Sequence, residues 1–389
     1  MNARERFLAT MHFQPVDAGL LWEWHYLDVT VERWHTEGLP QEVYLPQLTA
    51  HELHQGEAWP EPDARPGTPV GSYFGLDRGQ PYCPGEVAYL PVHTGLLPPF
   101  EARVLCEDER TQVVLDADGV EKEILRGVEP AMPRFLAYPV RARADFAAIQ
   151  KRYDPASPRR YPPFWEEWKA EIHGRDYPLG LCFDGFFGRL RKWLGPEQLM
   201  LTLYDDPAWF GEMCDFHTHF LLETLARAVN EVRVDYVNIW EDMAYKAGPL
   251  ISPAHVRRYM LPGYRKVADL LRGRGVDILF VDCDGNIEQL IPIWLEAGIN
   301  GVWPLEVAAG MDALRLRQRY GRDLLLVGGI DKRELARDRA AVRAEVLRQA
   351  PHLNAQGGYI ATVDHSVPPD VPFGNYLYLR ELLRELAGR

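Results

Sequence analysis

The sequence predicts an α/β protein, a (β/α)8 TIM barrel with a β-rich insertion in its N-terminal third. Two observations lead to this prediction. Short apolar runs alternate with longer helical patterns through the second half of the chain, which is typical of parallel strands joined by helices. Each run is followed by polar or glycine-rich residues, as expected where the carboxyl ends of barrel strands build a site. The 389 residues suffice for one barrel domain, 1–389, with an excursion.

The predicted strands are short and almost wholly apolar, because a parallel strand is covered on both faces. An early apolar segment, Ala18–Trp22, is expected to supply the first barrel strand. Six more strands are predicted at Leu179–Phe183, Tyr236–Trp240, Ile278–Val281, Gly301–Leu305, Leu324–Gly328 and Tyr359–Val363.

Residues 66–139 break this alternation and are predicted to form a β-rich insertion or lid. They are rich in proline and glycine, and they contain a hairpin-like stretch, Thr111–Val120, with a turn at Asp118-Gly119. The chain is therefore expected to be one barrel domain with this single insertion.

Composition excludes several classes of function. The chain has 43 Lys+Arg against 56 Asp+Glu, a formal charge of −13, which argues against binding a nucleic-acid backbone. No stretch approaches the roughly 18 apolar residues of a membrane span, and the charged N-terminus has no signal-like core. The five cysteines are scattered, without a Cys-x-x-Cys pair. We expect a cytoplasmic protein with reduced thiols and no membrane or nucleic-acid partner.

Acidic residues and histidines follow the predicted strands. In a barrel these positions converge on one face. Carboxylates so close together cannot all ionise without a cation, so the set predicts either a bound metal or protonated carboxyl groups. Imidazole suits both metal binding and proton transfer. The residues are Glu23, His25, Glu241, Asp242, Asp282, Asp284, Glu306, Asp331 and His365.

Several of these positions also have structural interpretations. Asp282 and Asp284 could cap a helix predicted to begin near Ile287, and Asp331 could cap the helix after it. Glu241 and Glu306 could equally form salt bridges in loops, and His365 could brace the proline-rich turn that follows it. Strand alternation points Cys283 away from Asp282 and Asp284, which favours packing for the thiol.

A glycine-flanked aromatic pair is a second candidate region. Phe187 and Arg189 lie in the stretch 184–191, where glycines permit a close approach of the backbone and arginine can pair with a carboxylate or phosphate. A turn leading into a solvent-facing helix explains this stretch equally well.

Motifs in a characteristic order carry a family resemblance. They are Arg4-Glu5-Arg6-Phe7-Leu8 with Pro15-Val16-Asp17, Phe186-Phe187-Gly188-Arg189-Leu190-Arg191, Glu241-Asp242-Met243 with Gly248-Pro249-Leu250, Asp282-Cys283-Asp284-Gly285-Asn286, Pro304-Leu305-Glu306, Gly328-Gly329-Ile330-Asp331-Lys332 and Gly357-Gly358-Tyr359-Ile360 before His365. With these motifs the chain resembles the uroporphyrinogen decarboxylase superfamily, which includes decarboxylases of haem biosynthesis and corrinoid-linked methyltransferases. The resemblance implies a (β/α)8 barrel.

Departures from the family pattern narrow the resemblance. True uroporphyrinogen decarboxylases carry an arginine-bearing loop after the first strand, whereas the segment Leu21–Tyr26 has no arginine and contains Glu23. The methylcobamide:thiol methyltransferases bind zinc through a His-x-Cys pair and a later Cys. The corresponding positions here are Asp282, Asp284 and His365, so the resemblance implies a divalent metal, with zinc first, on harder ligands.

The main functional prediction is a metal-assisted methyltransferase that moves a methyl group between a small substrate and a separate corrinoid protein. His365, Glu241 and Asp242 are the predicted catalytic residues; Glu23, His25, Phe187, Arg189, Glu306 and Asp331 are predicted to bind substrate. Two alternatives stay open: a decarboxylase that acts by acid/base chemistry, and a barrel that binds a small ligand without catalysis. The resemblance makes a homodimer a reasonable assembly.

Overall fold

Parallel strands joined by helices form the centre of the protein. The structure, a computed structural model, describes residues 1–46, 65–126 and 132–389. The strands, numbered along the chain, are β1 (Val43–Tyr44), β2 (Thr68–Pro69), β3 (Arg103–Glu107), β4 (Thr111–Leu115), β5 (Glu121–Leu125), β6 (Arg134–Ala137), β7 (Gly180–Asp184), β8 (Tyr236–Trp240), β9 (Ala244–Tyr245), β10 (Gly248–Pro249), β11 (Leu279–Asp282), β12 (Gly301–Trp303), β13 (Leu325–Val327) and β14 (Tyr359–Ile360).

Helices connect the central strands and cover them. They are α1 (Ala3–Met11), α2 (Asp28–Thr36), α3 (Val70–Tyr73), α4 (Arg143–Gln150), α5 (Trp165–Ile172), α6 (Phe186–Leu194), α7 (Pro196–Asp205), α8 (Pro207–Glu231), α9 (Pro253–His255), α10 (Leu261–Arg272), α11 (Ile291–Glu296), α12 (Ala313–Tyr320), α13 (Lys332–Leu335), α14 (Arg339–Gln356) and α15 (Phe373–Leu386), with a π-helical turn at Val256–Met260 before α10. None of the helices in the described ranges is long and apolar enough to cross a membrane.

Six strands form a continuous parallel sheet in the order β7, β8, β11, β12, β13, β14. Their order in the sheet is the same as their order along the chain. Backbone hydrogen bonds extend this sheet at both ends. Tyr89 forms a parallel bridge with Gly180 at the edge of β7, and Tyr26 forms one with Val367 beyond β14. Parallel strands in sequential order, with helices between them, are the arrangement of a (β/α)8 barrel. The predicted fold class is confirmed.

The six central strands were predicted at the right places, with ends that differ by at most three residues and with both ends of β8 exact. The early segment differs more. Ala18–Trp22 contributes no ladder in the described residues; it is held by Asp77, whose amide donates to Leu21 O at 2.8 Å and whose carboxylate accepts from the Leu21 amide. The side chain of Asp77 holds this segment as much as the backbone does. Such a contact with a distant residue cannot be predicted from a run of apolar residues.

Strand alternation separates an inner core from an outer one. Along β11, Phe280 belongs to an inner cluster that also contains Trp303 and Tyr236, whereas Val281 belongs to the larger cluster under the helices. The rings of Phe280 and Trp303 stack with centroids 4.9 Å apart. Cys283 belongs to the outer cluster, as alternation predicted. Aromatic and aliphatic side chains together thus fill the interior of the sheet.

The β-rich insertion is a four-stranded antiparallel sheet, β3–β4–β5–β6, that lies within the predicted interval 66–139. The predicted turn joins β4 to β5, and Gly119 has a φ of +81° there. Asp118 in this turn lies 4.0 Å from Lys192 of α6. The insertion therefore contacts the helix that follows β7.

Candidate active site

A cavity of about 220 Å³ lies where β8 and β11 end. The inner residues of these strands, Trp240 and Asp282, are paired across the ladder and both face it. The complete lining is Trp24, His25, Tyr82, Trp240, Asp242, Asp282, Asp284, His365 and Ser366. The carboxyl ends of barrel strands are the usual position of an active site in this fold.

Asp282 ends a chain of hydrogen bonds that crosses the barrel. Trp303 Nε1 donates to Asn238 Oδ1 at 2.8 Å, Asn238 Nδ2 donates to the Tyr82 hydroxyl, and this hydroxyl donates to Asp282 Oδ2. The Asp282 side chain is 4 % exposed. Burial raises the pKa of Asp282 well above its usual range, and the negative charges of Asp242 and Asp284 raise it further. A proton on Asp282 at neutral pH would reside on Oδ1, because Oδ2 already accepts from Tyr82.

Asp284 and His365 form an ion pair at the rim of the cavity. Asp284 Oδ2 lies 3.4 Å from His365 Nε2, and both side chains are more than a third exposed. Burial alone would lower the pKa of His365, but the hydrogen bond and charge of Asp284 outweigh it, and the pKa is raised. Within the described part of the chain, Asp284 Oδ1 has no hydrogen-bond partner. His365 is therefore poised to carry a proton at neutral pH.

Asp242 is held in an unusual backbone conformation by an arginine from α6. Its φ is +45°, in the left-handed region. Arg191 donates to the Asp242 carbonyl at 3.0 Å and to its carboxylate at 3.1 Å. The Arg191 guanidinium also lies 4.4 Å from the centre of the Trp240 ring. Arg191 therefore holds both Asp242 and Trp240 in place. Burial and the charge of Asp284 raise the pKa of Asp242, whereas Arg191 opposes this rise.

His25 lines the cavity near His365 and is neutral. Burial and the nearby His365 lower the pKa of His25 to about 4. Its Nδ1 lies 3.4 Å from Ser366 Oγ, and the Trp24 and His365 rings are 6.1 Å apart. The predicted residues that line the cavity are thus His25, Asp242, Asp282, Asp284 and His365.

Glu241 and Glu306 support neighbouring loops and lie outside the lining. Glu241 is fully buried beneath the first turn of α6, where it accepts hydrogen bonds from the Phe186 and Gly188 amides at 2.7 and 3.0 Å and from the Tyr264 hydroxyl. Burial, partly offset by these bonds, raises the pKa of Glu241 to about 7. Glu306 accepts from the Gly285 amide at 3.0 Å and so holds the loop that carries Asp284.

Glu23 lies in a closed network away from the cavity. Its Oε1 accepts from the Trp24 and Val363 amides, and its Oε2 accepts from the Tyr376 hydroxyl at 2.9 Å. Arg380 lies 3.7 Å from the same carboxylate. These contacts join the first barrel segment to the last strand region and to α15.

Three further predicted residues also have partners within the protein. Arg189 is 2 % exposed and pairs with Asp184 at 2.8 Å. Phe187 is fully buried in the core next to it. Asp331 caps α13 by accepting from the Arg333 amide at 2.9 Å, which matches the capping interpretation. Helix α11 begins at Ile291 with Leu290 as its cap, so Asp282 and Asp284 do not cap it.

The predicted metal ligands do not converge as a set. Among the described residues no three His, Cys, Asp or Glu side chains are grouped so that they could hold a metal ion. Asp282 Oδ2 is engaged by Tyr82, and Asp284 Oδ2 by His365. This arrangement does not fit a structural or catalytic zinc site, which needs at least three convergent protein ligands.

The sequence argument missed Tyr82 and Arg191 as parts of this site. Tyr82 lies in the segment assigned to the insertion, and nothing in the local pattern places it under Asp282. Arg191 appears in a family motif, but its partner Asp242 is 51 residues away. Of the two, only Arg191 could have been noticed in the sequence. Together with Lys192, which lies over the Trp240 ring, it makes this turn of α6 basic.

Comparison with known proteins places the chain in a family. The family model for uroporphyrinogen decarboxylase (URO-D) matches residues 114–386. The chain belongs to the uroporphyrinogen decarboxylase family. It is 26 % identical over 320 residues to a uroporphyrinogen decarboxylase from Thermus thermophilus, covering 78 % of this chain and 84 % of that protein. It is 25 % identical over 330 residues to the one from Syntrophotalea carbinolica, covering 77 % and 91 %.

Among solved structures, a methyltransferase from Methanosarcina mazei shares the fold. The two align over 99 % of this chain and 98 % of that one, with a TM-score of 0.58 and 18 % sequence identity. Identity this low indicates a common fold and does not transfer an activity. The resemblance derived from the motifs is confirmed at the level of the family, whose members include enzymes of both chemistries.

Proposed function

We propose that this protein transfers a methyl group from a small molecule to a corrinoid held by a separate protein. The observation that carries the proposal is the cavity at the carboxyl ends of the strands, which has aromatic walls and two groups able to donate a proton. Its volume of about 220 Å³ is below the roughly 300–1,000 Å³ of pockets for drug-sized ligands. A small donor fits, whereas a tetrapyrrole or corrinoid ring does not. The acceptor ring would therefore be presented from outside.

The chain's own residues supply the proton that such a transfer needs. When a methyl group leaves oxygen or nitrogen, the electron pair of the broken bond stays on that atom, which departs easily only if it is protonated. His365, whose pKa is raised through Asp284, can donate from Nε2. Asp282 can donate from Oδ1, since its Oδ2 accepts from Tyr82. The acceptor's nucleophile provides the electron pair for the new bond to the methyl group.

Decarboxylation of a porphyrinogen is the competing reaction, because the sequence relatives carry that name. A substrate with many carboxylates needs positively charged partners. In the described part of the chain, the cavity lining contains neither arginine nor lysine, and it contributes the carboxylates of Asp242, Asp282 and Asp284. This charge distribution favours a substrate without carboxylates near the reacting atom.

The test is methyl transfer to free cobalamin, reduced to its nucleophilic state, from a panel of small methyl ethers and methylamines. We expect the absorbance spectrum of the cobalamin to change with the wild-type protein. His365→Gln should slow the reaction at least about 100-fold with ether donors, which is the usual contribution of a general acid. His352→Gln is the matched control, because His352 is exposed on α14. Conversion of a porphyrinogen without methyl transfer, or an unimpaired His365→Gln variant, would overturn the proposal.

A further inference from the structure

The cavity walls combine aromatic faces with carboxylates. The rings of Trp24 and Tyr82 lie 4.4 Å apart and tilted by 53°, and both line the cavity beside Asp282 and Asp284. Trp240 also lines the cavity, but the Arg191 guanidinium already lies 4.4 Å from the centre of its ring. Aromatic faces and carboxylates together are the surroundings in which proteins bind organic ammonium ions.

Asp282 retains one oxygen for a ligand. Its Oδ2 accepts from Tyr82, and within the described residues its Oδ1 has no hydrogen-bond partner. The side chain is 96 % buried, and the small part that is exposed belongs to the cavity lining. Asp284 Oδ1, in the same lining, is buried without a hydrogen-bond partner in the described residues, and such an oxygen is costly unless a ligand or water completes its bonding. Both aspartates thus have an oxygen available to a ligand in the cavity.

The negative charges of the site are not all balanced by basic residues in the described ranges. Asp242 is paired with Arg191 and Asp284 with His365. Asp282 has no basic partner in the described ranges, so one carboxyl group of the three is left without a cation. Because the three carboxyl groups do not converge on one point, a compact metal ion does not meet their geometry. A larger cation that spreads its charge over several atoms would contact Asp282 and the aromatic faces together.

We propose that the cavity binds a small organic cation, a methylated amine, as the methyl donor. This inference rests on the proposed function. The positive charge of the bound ammonium lowers the pKa of Asp282, so that the carboxyl group is ionised in the complex and its Oδ1 accepts from the ammonium N–H. The methyl groups pack against Trp24 and Tyr82. In the transfer step the C–N bond breaks, its electron pair goes to nitrogen, and the amine leaves uncharged. The methyl group bonds to the nucleophile of the acceptor protein, which supplies the electron pair.

Binding of charged and uncharged probes tests the inference without any turnover. The probes are N,N-dimethylethanolamine, which is protonated at neutral pH, choline, and 3,3-dimethylbutan-1-ol, which has the shape of choline without its charge. Titration calorimetry with the wild-type protein should show both cations binding at least about tenfold more tightly than the alcohol, as expected for a desolvated cation–π and charge contact. Equal affinities, or no binding of either cation, would overturn the inference.

Substitutions locate the binding. Asp282→Asn should reduce the preference for cations over the alcohol, and Trp24→Leu should weaken both cations more than the alcohol. Asp370→Asn is the matched control, because this exposed aspartate removes the same charge outside the cavity. A preference that survives Asp282→Asn and Trp24→Leu would contradict the assignment. The wild-type comparison needs no variant, so a misfolded variant does not prevent a decision.

The outcome separates this inference from the proposed function. Selective binding of cations without methyl transfer to cobalamin would support the binding site for organic cations, but it would overturn the function and with it the role of the amine as methyl donor. Methyl transfer from an uncharged ether, together with equal binding of choline and its uncharged analogue, would support the function and overturn the inference.

Discussion

Asp284 Oδ2 lies 3.4 Å from His365 Nε2, and this pair joins the loop after β11 to the loop after β14 across the rim of the cavity. The Gly285 amide donates to Glu306, which fixes the first of these loops from a third strand end. The protonation of His365 thus depends on a carboxylate that is positioned by two other strands.

Replacing Asp284 with asparagine should lower the pKa of His365. The folded pKa of His365 is raised, so its contribution to stability is present below about pH 6.5, its unfolded value, and is lost as the pH rises through the folded value. Asp284→Asn removes the charge that causes the rise. NMR titration of the imidazole in both proteins measures the shift, with the exposed His352 as an internal reference. An unchanged pKa would show that Asp284 does not control this histidine.

Glu241 should make stability depend on pH in a way that Glu241→Gln does not. Its pKa is about 7 in the fold and near 4.5 when unfolded. The stabilisation is therefore present below pH 4.5 and is lost as the pH rises through about 7. Between these values the free-energy difference between the two proteins should fall by about 3 kcal/mol. Urea unfolding at several pH values measures it, and parallel stability curves would rule this effect out.

Asp242 should tolerate asparagine and glycine better than alanine. Its φ of +45° is a conformation that Asn and Gly adopt readily and that costs alanine about 1 kcal/mol. We expect Asp242→Ala to be less stable than Asp242→Asn by about this amount in thermal or urea unfolding. If the alanine variant is as stable as the asparagine variant, the backbone conformation at this position is not strained.

Glu23→Gln should affect stability far more than ligand affinity. Removing the charge leaves Arg380, which is 1 % exposed, without its carboxylate. Breaking a buried pair in this way costs about 3–5 kcal/mol. Urea unfolding beside the exposed control Glu101→Gln measures the loss. A variant of normal stability that binds its ligand poorly would instead support the substrate-binding role predicted from the sequence.

Metal analysis should find less than one equivalent of zinc, manganese or iron in protein purified without a histidine tag. The reason is that Asp282, Asp284 and His365 do not form a three-ligand group in the described residues. Elemental mass spectrometry of the wild-type protein and of His365→Ala provides the comparison. A stoichiometric metal that disappears in His365→Ala would show that these side chains rearrange to bind it.

Periodicity predicted the fold and the centre of the site because both depend on local sequence. Strand alternation alone places Asp282 inside the barrel and Cys283 outside, and both residues lie there. The order of apolar runs and helices likewise predicted the six central strands. Strand alternation repeats every two residues, and apolar runs alternate with helical patterns along the chain. Both patterns can therefore be recognised in a single sequence.

Partners that are distant in the chain could not be predicted. Glu23 resembles a site residue until Tyr376 and Arg380, more than 350 residues away, engage its carboxylate. Arg189 resembles a ligand-binding arginine until Asp184 pairs with it inside the core. Tyr82 supports Asp282 from a segment without periodicity. In each case the tertiary contact decides the role, and the local pattern carries no trace of it.

The network around Glu23 has a consequence for the synthesis of the protein. Its carboxylate is made 340 residues or more before Val363, Tyr376 and Arg380, which complete its bonding. On the ribosome the first barrel segment therefore lacks these contacts until α15 leaves the exit tunnel. A nascent chain that stops before Phe373 lacks Tyr376 and Arg380, two of the partners that hold the Glu23 carboxylate in the folded protein.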